Sequence, residues 1–252
     1  MEKCERDVRM QHELRRTEML MGEEKLMKLQ NSKVVVLGLG GVGGSAFEVL
    51  VRGGIGKISI VDNDIFTVSN LNRQILSTYS NIGKYKVDAA IARAKDVNKY
   101  CEVEGFIEFI CEENIERIIP KDTDFVVDAI DTVTSKLQVI KYCKTHDIKI
   151  ISSMGTGNKL DPSKLEVIDV FKTTMDPLAK VMRRELRVMG IDSLKVVAST
   201  EKPLVPLVLE EVTIEGPESH LKKRSTPGST SFVPPAAGIL LASEVINVLI
   251  NL

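Results

Sequence analysis

The chain's 252 residues predict an α/β fold, a doubly wound, mostly parallel sheet that carries a C-terminal strand and helix elaboration. Three observations lead there. Short β-branched runs alternate with amphipathic stretches from about residue 33 to 153. The first run ends in a cluster of glycines that opens a helix. From about residue 154 the rhythm changes, and a turn-rich break is followed by further strand-like and helix-like segments.

Taken in order, EMLMGEEKLMKLQ at 18–30 has apolar residues at helical spacing and predicts a single short amphipathic helix. KVVVLG at 33–38 is a continuous apolar run, the pattern of a strand buried on both faces. A helix at 42–52 and a strand at 57–62 follow. Next come a helix at about 85–99, a strand at about 103–110 and a short helix near 112–118. The strand-like DFVVDAID at 124–131, a helix at 134–146 and a strand at 148–153 complete the alternation. In such a Rossmann-like sheet, ligands bind at the carboxyl ends of the strands where strand order reverses. Beyond the turn-rich MGTGNKLDPSK, LEVIDVF reads as a strand, and Asp176-Pro177 opens a helix over DPLAKVMRRELRVMG. A loop rich in Pro, Gly, Ser and Lys covers about 215–231. AAGILLASEVINVLINL then reads as an apolar helix.

Composition narrows the function classes. With 34 Lys+Arg against 35 Asp+Glu, the net charge of −1 excludes a uniformly basic nucleic-acid coat but permits a local patch. Cys4, Cys101, Cys111 and Cys143 contain no CxxC pair, against both a paired-cysteine zinc site and a disulfide scaffold. The opening MEKCERDVRMQHELRR is charged throughout, unlike a secretory leader, and a cytoplasmic location is expected. The last helix is short for a ~30 Å hydrocarbon core and is interrupted by Glu244, Asn247 and Asn251. It is expected to pack on the sheet or on a partner subunit, with peripheral membrane contact as the alternative. His12, His146 and His220 lack metal-ligand spacing.

The chemistry concentrates after the first strand. Gly38, Gly40, Gly41 and Gly43 form a strand–turn–helix junction whose backbone N–H groups and helix dipole suit phosphates. Asp62 ends the next strand, where a carboxylate accepts from a ribose, and Asp64 follows it. To this point an NAD site and an ATP site fit equally. The segment SNLNRQ at 69–74 and GKYK at 83–86 discriminate, because a dinucleotide needs few side-chain cations. A triphosphate attacked at its α-phosphate sheds charge onto pyrophosphate, and Arg73 and Lys86 supply preorganised cations for it. Asp128 and Asp131 sit near the end of the DFVVDAID strand. Each is placed to hold Mg²⁺, directly or through water, or to cap the helix beginning near Thr132.

GLGGVGG, IVDNDIFTVSNLNRQ, GKYKVDAA and VVDAIDT together resemble the adenylating core of the ubiquitin-activating-like superfamily, which includes the sulfur-carrier adenylyltransferases. Within it, five further stretches resemble the tRNA threonylcarbamoyladenosine dehydratase family. They are Arg16-Thr17-Glu18 ahead of Leu20-Met21-Gly22, AIDTVTSK, ISSMGTGNKLDP, KTTMDPLAKVMRREL and PGSTSFVPPAAGILLASEV. The resemblance implies an N-terminal helical arm (1–30), an ATP-binding adenylating core (31–155), and a substrate-binding elaboration on the same domain (156–252). It implies that Gly38, Gly40, Gly41, Gly43, Asp62, Asp64 and Asn70 line ATP, that Arg73 and Lys86 hold its phosphates, and that Asp131 serves the Mg²⁺ region. Arg16 matches an arginine that reaches into a neighbouring subunit's site, which implies a homodimer. A monovalent cation near 153–158 and a cysteine-desulfurase-type or sulfur-acceptor partner are left open.

Thioester-forming relatives need a cysteine nucleophile in the crossover segment, and this chain has no cysteine after Cys143. Ser225 and Ser229 do not replace one, since a hydroxyl is barely ionised at neutral pH. Lys180, Arg183, Arg184 and Arg187 recur at helical spacing and share one face, a candidate tRNA-binding stripe or a solvated cationic face. Lys222-Lys223-Arg224 can add a second patch. Only Phe171 and Phe232 lie near for base stacking. The expected activity is an ATP-dependent dehydratase that adenylates the carboxylate of threonylcarbamoyladenosine in tRNA and cyclises it. The rivals are an adenylyltransferase acting on the C-terminus of a ubiquitin-like sulfur carrier, and a non-catalytic or NAD-binding Rossmann module.

Overall fold

The computed structural model describes residues 13–207 and 227–251. Two short helices come first, α1 (Arg15–Met21) and α2 (Glu23–Asn31). The one helix expected over 18–30 is thus split. Gly22 between the two has φ +81°, a conformation that no right-handed helix continues through.

The alternating part runs β1 (Lys33–Leu37), α3 (Gly41–Gly53), β2 (Lys57–Val61), α4 (Lys86–Val97), β3 (Glu102–Phe106) and α5 (Ile115–Ile118). It continues with β4 (Phe125–Asp128), α6 (Val133–Thr145) and β5 (Lys149–Ser153). Then come β6 (Leu165–Asp169), α7 (Pro177–Val188), β7 (Lys195–Ser199) and α8 (Val233–Leu249). These strands make a seven-stranded sheet in the order β3-β2-β1-β4-β5-β7-β6. All neighbours are parallel except β6 and β7, which pair antiparallel at the edge. Because β2 lies on one side of β1 and β4 on the other, strand order reverses between β1 and β4.

The buried runs divide across the sheet as a two-sided strand requires. In β1, Val34 and Val36 join the layer containing Phe47, Leu50 and Leu241, whereas Val35 and Leu37 join Ile140, Met182 and Leu186 on the other face. Helices α3, α4 and α8 therefore cover one face, and α5, α6 and α7 the other. Helix α8 is a core helix. It buries Val233, Ala237, Leu241 and Val245, and a Cβ on Gly238 would meet the Val42 carbonyl oxygen of α3 at 2.2 Å, so the two backbones touch. Among the described residues, no helix is long and apolar enough to cross a membrane.

Two expectations need correction. The strand over 103–110 stops at Phe106 and that over 124–131 at Asp128, where the Asp128 carboxylate folds onto the Ile130 N–H at 3.1 Å and ends the ladder. Strand β7 is absent from the sequence reading altogether. It inserts between β5 and β6, so LEVIDVF becomes the edge strand.

Helices α3 and α4 are clamped by one acid. Buried Glu48 accepts from Arg52 Nε at 2.7 Å and from Arg93 Nε and Nη2 at 3.0 and 2.9 Å. Burial pushes its carboxyl pKa up, but the two guanidinium groups outweigh this and hold it below the ordinary 4.5. A depressed folded-state pKa gives stability that is present above the unfolded value and lost as pH falls through the folded one. Glu48→Gln is therefore expected to melt below the parent chain at pH 7. In melts followed by circular dichroism, that gap should narrow below about pH 4.

Candidate active site

The carboxyl ends of β1, β2 and β4 carry the predicted residues. Gly38 follows β1 with φ +85°, and its N–H donates to the Val61 carbonyl at 2.8 Å. Helix α3 starts at Gly41, and a Cβ on Gly43 would stand 1.8 Å from the Gly38 carbonyl oxygen. Only glycine lets the first turn of α3 lie that close to the strand it leaves. A Cβ on Gly40 would meet nothing within 4 Å, so this backbone borders open space.

Asp62 braces this turn. One carboxylate oxygen accepts from the Leu39 N–H at 2.6 Å, and the other from the Asp64 N–H at 2.9 Å. Each oxygen has a second lone pair, so a ribose hydroxyl would share it with these bonds. Lys86, the first residue of α4, is buried with Nζ 2.7 Å from Asp64 and 3.6 Å from Asp62. The long excursion between β2 and α4 is closed at its neck by an Ile65–Tyr85 bridge and by Phe66 N–H to the Lys84 carbonyl at 2.9 Å. That neck returns Lys86 to Asp62 across the intervening residues.

Arg73 lies within the excursion and rests on the glycine turn. Its carbonyl oxygen and Cγ are 3.2 and 3.5 Å from where a Cβ on Gly41 would be. Its Nη1 donates to the Ser69 carbonyl and to Asn72 Oδ1, both at 2.8 Å. Asn72 Nδ2 donates in turn to the Ser229 carbonyl at 3.1 Å, which ties this loop to the segment leading into α8. Asn70 turns its side chain inward to accept from the Thr67 N–H at 3.1 Å, a structural bond in the short 3₁₀ turn.

Asp131 follows the β4 end, two residues after Ala129. The Ala129 carbonyl packs against Gly38 and its Cβ against Gly43, so this turn lies on the glycine turn. Asp131 is exposed and accepts from Thr132 Oγ1 at 3.3 Å. Of the alternatives left by the sequence, the capping one fails, because Thr132 is the N-cap of α6 and no side chain caps it. Asp128 is fully buried instead, its carboxylate 2.9 Å from Lys136 Nζ, which also donates to the Ile130 carbonyl at 3.0 Å. This ion pair pins both sides of the Ile130 peptide beneath Asp131. Sequence reasoning missed it, since a lysine in a helix gives no sign of a strand-end partner. Lys136→Met is expected to cost about 3–5 kcal/mol in chemical denaturation, because Asp128 stays buried and unpaired.

Arg16 is not brought here. It is exposed on α1, and the neighbouring Leu14 packs on Gly54, past the far end of α3. The 13 residues of α3 span about 20 Å. Of the α7 cations, Lys180, Arg184 and Arg187 are exposed, but Arg183 is half-buried with Nη1 on the Thr173 carbonyl at 2.9 Å. Arg184 pairs with Glu185, and Arg187 lies over the Phe171 ring at 5.3 Å. Lys222, Lys223, Arg224, Ser225, His12, His220 and Cys4 lie outside the described residues. Burial pushes the Cys101 and Cys143 thiols up to about 12, far from a thiolate nucleophile at neutral pH. A cavity of about 280 Å³ lined by Leu14, Lys33, Lys57 and Cys101 opens at the amino ends of the strands, the edge opposite the glycine turn.

Among the described residues, no three His, Cys, Asp or Glu side chains converge on a metal position. Asp131 is a single exposed carboxylate next to the glycine turn, the kind of ligand that Mg²⁺ takes alongside phosphates and water.

Comparison with known proteins agrees with this geometry. The ThiF family model matches residues 14–252. The tRNA threonylcarbamoyladenosine dehydratase of Bacillus subtilis is 41% identical over 241 residues, covering 94% of each chain. The Escherichia coli protein of the same name is 31% identical over 247 residues, covering 92% of this chain and 91% of its own. The crystal structure of the E. coli enzyme in complex with ATP superposes with a TM-score of 0.85 at 28% identity, covering 96% and 95% of the two chains. A chain matched over nearly its whole length by this family model, with a glycine turn, an acid and cations gathered at its sheet switch point, belongs to the ThiF family.

Proposed function

We propose that this chain is an ATP-dependent tRNA threonylcarbamoyladenosine dehydratase. The observation that carries the reading is the convergence of the 38–43 turn, the Asp62–Lys86 pair and Arg73 at one end of the sheet. Relatives that share nearly the full length carry that name. In the first step a carboxylate oxygen of the modified nucleoside attacks the α-phosphorus of ATP. The bond from that phosphorus to the bridging oxygen breaks, and pyrophosphate leaves. Gly38, Gly40, Gly41 and Gly43 cradle the phosphates, Asp62 holds ribose, and Arg73 and Lys86 stabilise the charge gathering on the leaving group. Asp64 keeps Lys86 oriented until phosphate competes for it. In the second step an atom of the carbamoyl group attacks the acyl carbon, and the bond from that carbon to the AMP oxygen breaks. AMP departs with the former carboxylate oxygen, and the carbamoyl group releases one N–H proton to solvent, which leaves a ring. The tether supplies an effective molarity on the order of 10⁵ M or more, so no enzyme nucleophile is required. Asp131 would hold Mg²⁺, which supplies further charge neutralisation on the phosphates when bound.

Arg16 completes the site from a neighbouring copy. Its distance from the glycine turn of its own chain supports a role in trans, and with it a homodimer. The exposed Met19 and Leu20 on α1 give that arm an apolar surface for such a contact.

The tRNA is held in part by α7. Arg183 is spent on Thr173, so the phosphate contacts are Lys180, Arg187 and Arg184, the last exchanging its exposed Glu185 partner for phosphate. The triple change of these three to alanine is expected to weaken tRNA binding and flatten the slope of log K against log salt by roughly two to three. Arg183→Ala alone should lower melting more than it changes the slope. An unaltered slope for the triple variant returns this face to ordinary solvent exposure.

The deciding experiment incubates purified modified tRNA with the protein and Mg-ATP and analyses the nucleosides by mass spectrometry. The expected result is loss of one water mass from threonylcarbamoyladenosine with AMP released. AMP formation that requires a ubiquitin-like carrier and ignores tRNA would overturn the reading in favour of a sulfur-carrier adenylyltransferase.

A further inference from the structure

The loop after β5 and the amino end of α7 meet on one buried ammonium. Lys159 Nζ donates to the Gly155 carbonyl at 2.5 Å and to Asp176 Oδ2 at 2.9 Å. The two side chains are 1% and 0% exposed. Asp176 uses its other oxygen to accept from the Ala179 N–H at 2.9 Å, which caps α7. Among the described residues, Lys159 is the one cation paired with Asp176. Neither residue takes part in the reaction proposed above.

A backbone carbonyl oxygen and a carboxylate oxygen, brought from separate chain segments to one dry point, are the donor types that hold a hard cation. An ammonium on a flexible stem satisfies the same donors. We propose that this junction is a cation site whose ion is covalently attached, so that the loop is locked onto α7 by Lys159 and not by a bound K⁺ or Na⁺. The residues do not fit a free monovalent ion between Gly155 and Asp176. Such an ion would need the volume that Nζ fills and would be repelled by its charge. The lock also explains why a buried charge is retained here, since removing either partner leaves the other uncompensated.

The test reads stability and is independent of the reaction. Thermal melts of the parent chain and of Lys159→Gln are compared in KCl, NaCl and choline chloride at a common ionic strength of about 0.15 M. The parent chain is expected to melt within about a degree in all three salts. Lys159→Gln should melt several degrees lower in choline chloride and regain much of the loss, saturably, in KCl or NaCl, because an ion that binds only the native state stabilises it by mass action. Lys159→Gln/Asp176→Asn, which removes the anionic ligand, should show no preference among the salts. A saturable K⁺ or Na⁺ stabilisation of the parent chain, or an equal response of Lys159→Gln to all three salts, overturns the proposal. If Lys159→Gln is recovered only unfolded, its refolding yield replaces the melt. A higher yield in KCl or NaCl than in choline chloride supports the lock, and equal yields count against it.

Discussion

Arg73→Ala is expected to slow AMP formation by about 10²-fold or more, the usual loss when a preorganised charge facing the developing transition state is removed. Arg73 is positioned at both ends. Its backbone and Cγ lie against Gly41, and its guanidinium is fixed by the Ser69 carbonyl and the Asn72 side chain. In the proposed reaction, a cation held so needs little reorganisation as charge moves onto pyrophosphate. The side chain is only half-buried, so its loss should leave the melting temperature nearly unchanged. Arg73→Lys keeps the charge without the planar fork and should recover part of the rate. Measured under saturating ATP, the defect should fall on kcat. A change confined to KM would assign Arg73 to ground-state binding, and unchanged turnover would remove it from the site.

Gly43→Ala is expected to disturb the fold and the site together. The added methyl would stand 1.8 Å from the Gly38 carbonyl oxygen and 3.1 Å from Ala129 Cβ. The carbonyl has little freedom to retreat, because the Gly38 N–H is bonded to Val61. Helix α3 must therefore withdraw from β1, and α8, which touches α3 at Gly238, must move with it. A loss of roughly 3 kcal/mol is expected in chemical denaturation, at the upper end for overpacking. ATP binding by calorimetry should fall below detection. Gly40→Ala is the control: with open space around its Cβ, the fold should stay stable, and any loss of ATP binding reports collision with the nucleotide itself.

What could be read in advance depended on whether the signal was local. KVVVLG followed by glycines announces a strand, a tight turn and a helix within one short stretch, because each step is set by neighbouring residues. The places of Asp62 and Lys86 in the chain follow the same local logic, one directly after β2 and the other opening α4. Asp176-Pro177 likewise marks the start of α7 and is seen capping it. Strand β7 escaped because KVVAS, a short β-branched run like KVVVL, lacks the glycine turn that marks the end of β1; it pairs parallel to β5. The split between α1 and α2 turned on the conformation of Gly22, which composition does not announce.

The sequence by itself determined the α/β alternation, the phosphate-type turn and the residue types available for adenylation. The tertiary structure alone decided which charges are spent on the fold and which remain for a ligand. Arg183 is bound to Thr173 while Lys180 is exposed, Lys136 and Lys159 are buried on Asp128 and Asp176, and Arg73 lies beside a glycine far behind it in the chain. The reason is physical: periodicity and turn chemistry act between near neighbours along the chain. Desolvation and ion pairing act through space, and a basic residue carries no local mark of the partner the fold will give it.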